Sequence, residues 1–214
     1  MKVNNAKIFT CPFCGAKKEL LSLRSGNSFR PALWSDGKQI TPLLPQVSPI
    51  QKCPDCGKYY ILHKQKAERS NTPSFETGDL SYEEWKEAYA QFHNTPKLNW
   101  KDKYIIRISM IQAFNDRYHR GTAPLIYTES TIPPKEESAF IINVINEFIH
   151  GLKSTDPLDM ILKAELYREA GLFEQSETAL LTIDPAQMDE FTTSVYNTVL
   201  SKLKAKDIKV FRVI

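Results

Sequence analysis

Two short stretches, Cys11-Pro12-Phe13-Cys14-Gly15 and Cys53-Pro54-Asp55-Cys56-Gly57, decide the fold of the first part of this chain. Each has the form C-P-x-C-G. Two residues between the cysteines let one short turn aim both sulfurs at one point, and the proline fixes φ within that turn. The glycine allows a positive φ, so the chain can turn sharply around an ion. Two such turns supply the four sulfurs of a tetrahedral metal site.

The predicted metal ligands are all four cysteines of the chain, namely Cys11, Cys14, Cys53 and Cys56. We expect one structural Zn²⁺, because a site closed by four thiolates has no open position for water or substrate. Iron is the alternative ion, since rubredoxin-like sites use similar turns. A redox role suits a single C-x-x-C motif better than it suits two copies.

The paired knuckles resemble those of a zinc ribbon, and the resemblance implies a small β module over about the first third of the chain. The separation of Cys14 from Cys53 is long for a minimal ribbon. Within this insert the sequence predicts a short strand over 20–23 and a hairpin with a two-residue turn at Asp36-Gly37. A further strand is predicted over 59–62, after the second knuckle.

Helical periodicity follows a polar segment over 71–80. Ser81 and Glu84 form a capping box at the predicted start of the first helix. The second helix is expected to continue to Gly121, and the third has a wide apolar face that predicts burial. That face comprises Phe140, Ile141, Val144, Ile145, Phe148, Ile149 and Leu152. Three more helices are predicted before an alternating tail over 208–214, which is expected to be a short strand or a docked extension.

The predicted fold class is therefore α+β, a small β zinc ribbon followed by an all-α domain of antiparallel helical hairpins. The ribbon, with its inserted hairpin, is expected over 1–70. A linker is expected over 71–80, and the helical domain over 81–214.

The fourth and fifth predicted helices carry small, aromatic and glycine residues at spacings typical of one repeat family. These residues are Ala164, Tyr167, Gly171, Phe173, Ser176 and Leu180. They resemble a tetratricopeptide-type hairpin, although Lys163 and Pro185 depart from that pattern; an ordinary helical hairpin is the alternative. The resemblance implies binding of a protein or peptide. The whole arrangement is similar to bacterial zinc-ribbon proteins with tetratricopeptide-like helices.

Charge is unevenly distributed along the chain. Residues 1–70 contain 12 Lys or Arg and 4 Asp or Glu, whereas residues 71–214 contain 16 and 21. A basic first part is compatible with nucleic-acid contact through Lys17, Lys18 and Lys58. Phe13, Tyr59 and Tyr60 would then offer stacking faces. The favoured interpretation is that these aromatic residues form the small core over the metal.

Neither a signal peptide nor a membrane span is predicted. The most apolar stretch, over 139–149, is interrupted by Asn143, Asn146 and Glu147. We therefore expect a cytoplasmic protein with no membrane partner. In a reducing compartment, paired C-x-x-C motifs favour metal over disulfide.

Catalytic motifs are missing from the sequence, which contains neither H-E-x-x-H nor G-x-S-x-G. The polar run over 115–120, with His119, is interpreted as a solvated helix end. No catalytic or cofactor-binding residue is predicted, and we do not expect an enzyme. The leading hypothesis is a non-enzymatic adaptor with structural zinc and a helical surface for a protein or peptide. The alternatives are a nucleic-acid-binding protein that uses the ribbon and an enzyme with a site between the domains.

Overall fold

The computed structural model describes residues 2–26, 31–41, 44–93, 95, 98–119, 135–152 and 155–213. These residues form small β-sheets within the first third of the chain, and six α-helices follow. The predicted α+β fold class is thus confirmed. None of the described helices has the length and apolar character needed to cross a membrane.

Short antiparallel strands make up the β region. Their bounds are β1 Lys2–Val3, β2 Asn5–Thr10, β3 Lys17–Leu20, β4 Leu23–Ser25, β5 Ala32–Leu33, β6 Gln39–Ile40, β7 Ile50–Lys52, β8 Tyr59–Ile61 and β9 Ala67–Pro73. The largest sheet has the order β3-β2-β9, and β1-β4, β5-β6 and β7-β8 are two-stranded. The first knuckle joins β2 to β3 and the second joins β7 to β8, so each pair of cysteines lies at the turn of a hairpin.

The helices follow the predicted apolar pattern. Their bounds are α1 Tyr82–His93, α2 Trp100–Asn115, α3 Lys135–Gly151, α4 Pro157–Glu169, α5 Phe173–Leu181 and α6 Glu190–Lys204. The capping box is present, since the Ser81 N–H donates to the Glu84 carboxylate and the Glu84 N–H donates to the Ser81 hydroxyl. The buried face of α3 matches the prediction, with Ile141, Val144 and Phe148 almost fully buried.

Two compact units divide the chain. The first, here called the cysteine unit, comprises Met1–Pro31 and Thr41–Met110. The second, the helical unit, comprises Ala32–Ile40 and Ile111–Ile214. The predicted domains over 1–70 and 81–214 stay a prediction about independent folding, because compactness alone does not test it.

The segment predicted as a linker is ordered within the cysteine unit. Strand β9 continues to Pro73, and the Leu21 and Ser48 amides donate to the carbonyl oxygens of Glu76 and Thr77. Gly78 has a φ of +67°, and an added Cβ there would lie 1.9 Å from the Gln51 side chain. Gln51 itself is fully buried. Most of residues 71–80 are exposed, which explains their polar character, and backbone hydrogen bonds hold the segment in place.

Two further local predictions are corrected. The predicted strand over 20–23 is interrupted, since β3 ends at Leu20 and β4 begins at Leu23. The 32–40 hairpin has a three-residue loop in place of two: the Gly37 N–H donates to the Trp34 carbonyl, and the Trp34 N–H donates to the Lys38 carbonyl. Gly37 has a φ of +76°, the left-handed conformation that such a loop requires.

The second helix ends earlier than predicted, at Asn115, and Tyr118 follows it in a turn. Gly121 and Pro134, the predicted stop of that helix and start of the next, lie outside the described residues. The alternating tail does form a short strand-like extension, because Arg212 bridges Trp34 and the Val213 N–H donates to the Leu33 carbonyl at 2.7 Å. The tail therefore extends the β5-β6 hairpin within the helical unit.

The last three helices pack around a shared apolar core in the helical unit. Helices α4 and α5 pack closely because Ala164 and Ser176 are fully buried, and the Ser176 hydroxyl donates to the Ala164 carbonyl at 2.7 Å. Their connection is a Schellman turn: Gly171 has a φ of +73°, and the Leu172 N–H donates to the Tyr167 carbonyl. An antiparallel helical hairpin is therefore present, and its membership of the tetratricopeptide family stays a prediction.

Candidate metal centre and helical-unit pocket

The four cysteines come together at the tips of the two knuckle hairpins. Their sulfur atoms all lie within 4.8 Å of one another. The Sγ atoms of Cys11 and Cys56 are 3.8 Å apart, and those of Cys14 and Cys53 are 3.5 Å apart. A tetrahedral zinc with bonds of about 2.3 Å requires sulfurs about 3.8 Å from each other. The donor set and its spacing therefore fit a tetrahedral four-thiolate metal ion.

The two knuckles share one backbone conformation, which explains the repeated C-P-x-C-G pattern. In the first, the Gly15 N–H donates to the Cys11 carbonyl at 3.0 Å and the Cys11 N–H donates to the Ala16 carbonyl at 2.8 Å. The second repeats these bonds through Gly57 and Cys53, at 3.0 Å and 2.9 Å. Gly15 and Gly57 have φ values of +80° and +70°. Both glycines are thus needed for the turn, as predicted.

Backbone amides stabilise negative charge on the sulfurs. Burial raises the pKa of Cys53, but the amides of Cys56 and Asp55 and the Cys14 thiol lower it to about 7. The Ala16 amide lowers the pKa of Cys14, but the Cys53 thiol and burial raise it to about 12. Without a cation, the Cys53 thiol is therefore more acidic than the Cys14 thiol. A metal ion would supply the positive charge that the remaining thiolates need.

The second knuckle is fixed to helix α1 by polar contacts. The Gln91 side chain pairs with the backbone of Tyr59, accepting from its N–H at 2.9 Å and donating to its carbonyl at 2.6 Å. The Tyr59 hydroxyl donates to Glu87 at 2.5 Å, and the Lys52 ammonium lies 3.2 Å from Glu84. The α1 helix is consequently part of the support of the cysteine cluster.

The aromatic residues near the knuckles divide into two groups. Tyr59 and Tyr60 are buried, and Tyr60 packs against Cys11 and Cys53. Phe13 is 51% exposed, and the Lys58 Nζ lies 5.1 Å from the centre of its ring. The prediction that the aromatics form the core over the metal site thus holds for Tyr60 and is wrong for the exposed Phe13, whereas the buried Tyr59 contacts Glu87 and Gln91 of α1.

The basic residues near the knuckles are partly paired with acids. The Lys17 ammonium lies 3.0 Å from the Glu68 carboxylate, both exposed. Asp102, in the first turn of α2, is fully buried, 3.1 Å from the His63 Nε2 and 2.5 Å from the Lys64 Nζ. The segment after β8 therefore contains an ion-paired turn and then strand β9.

The helical unit contains a buried charged group that the sequence interpretation missed, here called the Asp36 cluster (Asp36, Lys38, Asp116 and His119). His119 and Asp36 are almost fully buried. The His119 Nε2 lies 3.1 Å from Asp36, and its Nδ1 lies 2.7 Å from Asp116, which also pairs with the Lys38 ammonium. The predicted solvated helix end is thus wrong for these residues.

The cluster favours the protonated form of His119 more than water does. Burial lowers the pKa of His119, but hydrogen bonds to Asp116 and Asp36 raise it above its ordinary value overall. Both ring nitrogens face carboxylates, so neither is available to a substrate. The only local signal for the cluster was the spacing of three residues between Asp116 and His119.

Next to this cluster, the helical unit contains a pocket of about 120 Å³. Five large apolar residues line it, namely Phe114, Ile141, Ile142, Ile145 and Ile208. Its polar lining includes Asn115 and Glu169, which are hydrogen-bonded through the Asn115 amide and the Glu169 Oε2 at 2.9 Å. The Glu169 Oε1 is buried and has no hydrogen-bond partner among the described residues. The pocket is therefore mainly apolar, and one oxygen of the Glu169 carboxyl group has no hydrogen-bond partner among the described residues.

Burial raises the pKa of Glu169 well above its ordinary value. The nearby Glu165 and Asp36 carboxylates add to this shift, whereas the Arg168 guanidinium and the Asn115 amide oppose it. Glu165 and Arg168 form their own buried pair, with the Arg168 Nε 2.7 Å from a Glu165 oxygen. Glu169 is thus the member of this group whose charge is least compensated.

Comparison with protein-family models, with curated proteins and with solved structures finds no match for this chain. The class of the protein is therefore defined by its own fold and site. It is an α+β protein with a four-cysteine cluster that could hold a metal ion in its β region.

Proposed function

We propose that this protein is a non-enzymatic, zinc-binding adaptor whose helical unit binds a protein or peptide. The pocket between the end of α2, the α3 helix and the α4–α5 turn is the observation that carries this proposal. An adaptor needs an apolar recess that can receive a partner side chain. Ile208 lines the pocket and is 45% exposed, so part of the apolar wall is accessible to a partner.

Zinc has a structural role in this proposal. Four sulfurs surround the site, and a closed site of this kind offers no position for a substrate. Pairing of both His119 nitrogens with carboxylates likewise supports a structural role for the Asp36 cluster and a non-enzymatic function. The ion would organise the knuckles and the elements that pack on them, while binding takes place elsewhere.

The adaptor proposal is tested by site-specific crosslinking of the full chain in its host cell. A photo-reactive amino acid is placed at Ile208, which lines the pocket, and at Gln187, which lies in the 3₁₀ turn Pro185–Gln187 and does not line it. The expected result is one discrete crosslinked product from position 208 that is missing at 187. Equal products from both positions, or none from position 208, would contradict the proposal.

Nucleic-acid binding through Lys17, Lys18 and Lys58 is the second candidate, and the exposed Phe13 beside Lys58 favours it. An exposed ring with an adjacent ammonium can stack on an unpaired base and contact its phosphate. The test is fluorescence anisotropy with single-stranded RNA and DNA at increasing salt. Binding should weaken with salt and with Lys18→Gln/Lys58→Gln, but not with Lys204→Gln, an exposed lysine of α6. Unchanged binding in the double variant would remove this candidate.

A further inference from the structure

We infer that the pocket of the helical unit receives a lysine side chain of the partner, with the lysine stem against the isoleucines and its ammonium on Glu169. The inference rests on the proposed adaptor function and specifies the chemistry of the same site. It is carried by the size of the pocket, its apolar walls and its incompletely paired carboxyl group.

Size selects the kind of side chain. A cavity of about 150 Å³ accepts benzene, with its six carbon atoms, so a pocket of about 120 Å³ suits about five non-hydrogen atoms. Lysine has a four-carbon stem and one nitrogen beyond its backbone, which is this number. The planar guanidinium makes arginine larger, and shorter side chains would leave part of the pocket empty.

The walls match the stem. Phe114, Ile141, Ile142, Ile145 and Ile208 are apolar and surround a space that water would fill poorly. A lysine side chain commonly buries its methylene groups along such a surface while its ammonium seeks a polar partner. A purely apolar side chain would fill the same space but would leave the carboxyl group unpaired.

The charge at the polar end matches the ammonium. The Asn115 amide satisfies the Glu169 Oε2, whereas the Oε1 has no partner among the described residues. A buried carboxyl oxygen without a partner is costly, and a donor that arrives with positive charge removes that cost. Asp36 and Glu165 add negative charge near Glu169, which also favours a cation over an anion.

The test is a nuclear magnetic resonance titration of the full chain with labelled isoleucine methyl groups. The probe is N-acetyl-lysine-methylamide. The first comparison compound is the norleucine derivative, which keeps the stem and lacks the ammonium. The second is the Nε-acetylated lysine derivative, which is longer and neutral, and the third is the arginine derivative. The titration is run near pH 8, because a higher pH shifts Glu169 towards its ionised form while the lysine ammonium, with a pKa of about 10.4, stays charged.

We expect the lysine probe to shift the Ile141, Ile142 and Ile145 methyl signals with a dissociation constant on the order of 1 mM, as suits a ligand of this size. The comparison compounds should bind at least about tenfold more weakly, because each lacks a well-placed charge or the right size. Glu169→Gln keeps the acceptor for Asn115 and should weaken the lysine probe by about tenfold. Glu174→Gln, an exposed acid on α5 outside the pocket, should have no effect.

Two outcomes overturn the inference. One is equal binding of the lysine and norleucine probes, which would make the pocket a purely apolar site. The other is the absence of isoleucine shifts with the lysine probe, which would mean that no lysine enters. Either result leaves the adaptor proposal standing if position 208 still gives its discrete crosslink. Loss of that crosslink removes the adaptor function independently of the probes.

Discussion

The knuckle region of the cysteine unit and the α4–α6 region of the helical unit are organised by different kinds of interaction. In the cysteine unit, strands of two to seven residues meet at a cluster of four sulfurs, and little apolar material lies over it. In the helical unit, α4, α5 and α6 bury a continuous aliphatic core that includes Ile161, Leu180 and Val199. Short strands with a small core need a cross-link, whereas amphipathic helices of nine to fifteen residues support each other by packing.

The stability of each unit should therefore be sensitive to different substitutions. The cysteine unit should depend on its ion and on close backbone approaches, and the helical unit on its buried charges. Both units contain buried carboxylates. Asp102 and the Asp36 cluster are ion-paired, whereas Glu169 accepts a hydrogen bond from the neutral Asn115 amide and has one oxygen without a partner among the described residues. Substitutions that disturb one unit should therefore leave the other largely intact.

The largest effect is expected from Cys53→Ser. Structural zinc contributes on the order of 10 kcal/mol to the folding of small zinc modules, and a lost thiolate removes several kcal/mol of it. We expect no bound zinc by elemental analysis and loss of amide protection over 44–73 and in α1, which is fixed to Tyr59. Protection of α4 to α6 should persist in hydrogen-exchange mass spectrometry.

The matched control is Asp55→Asn, an exposed position in the same knuckle, which should keep both zinc and protection. Loss of protection in α4 to α6 with Cys53→Ser would show that the two units unfold together. The comparison between them would then be wrong.

The four-cysteine cluster could be predicted from the sequence because its ligands lie in two short motifs. Each C-P-x-C-G stretch forms its own turn, and any fold that joins two such turns brings the sulfurs together. The helix positions were accessible for a similar reason, since Ser81 with Glu84 and the apolar face of α3 are patterns within a few residues.

The other buried groups depend on pairs that are distant in the sequence. Asp36 meets His119 across 83 positions, and Asn115 meets Glu169 across 54. In the sequence, Asp36 has the signature of a turn residue and His119 that of a helix end, and nothing local marks either as buried. The segment over 71–80 is likewise polar in sequence, although backbone hydrogen bonds to Leu21 and Ser48 hold it in place.

The next largest effect is expected in the helical unit from Arg168→Met. This change leaves Glu165 buried without its partner, and breaking a buried ion pair costs about 3–5 kcal/mol. The free energy of unfolding of the helical unit, measured by urea denaturation, should fall by this amount, while the zinc content should stay unchanged. Lys202→Met, which breaks the more exposed pair with Asp207 at 3.0 Å, should cost at most about 1 kcal/mol.

The double variant Arg168→Met/Glu165→Met should recover most of the lost stability, because apolar residues can replace a buried pair. If it remains as unstable as the single variant, the Arg168 hydrogen bond to the Lys209 carbonyl, at 2.9 Å, would account for the loss instead.

A smaller loss of stability, about 2–4 kcal/mol in the free energy of unfolding, is expected from Gly78→Ala in the cysteine unit. The added methyl meets Gln51 at a φ of +67°, so both steric overlap and backbone strain contribute. Gly171→Ala provides the matched control in the helical unit, since its φ is +73° and its Cβ would meet nothing within 4 Å. The Gly171→Ala variant should lose about 1 kcal/mol of stability, because only the strain of a positive φ contributes. Equal losses of thermal stability in the two variants would contradict the close approach at Gln51.

The smallest effect is a pH dependence of opposite sign in the two units. In the helical unit, the folded-state pKa values of Glu169 and His119 lie above their ordinary values of 4.5 and 6.5. Folded protein then binds more protons than unfolded protein, so stability should fall as the pH rises from these ordinary values through the raised ones. In the cysteine unit, a bound metal ion would compete with protons for the thiolates, so stability should fall as the pH decreases.

Hydrogen exchange at pH 6 and pH 8.5, corrected for the intrinsic exchange rates, separates the two responses. Protection in α4 to α6 should be lower at pH 8.5, and protection in β7, β8 and α1 should be lower at pH 6. Glu169→Gln cannot ionise and should reduce the decline in the helical unit without altering the cysteine unit, whereas Glu174→Gln should leave both unchanged. A common direction in both units would mean that one titrating group governs the whole chain, which the separate locations of the thiolates and Glu169 do not predict.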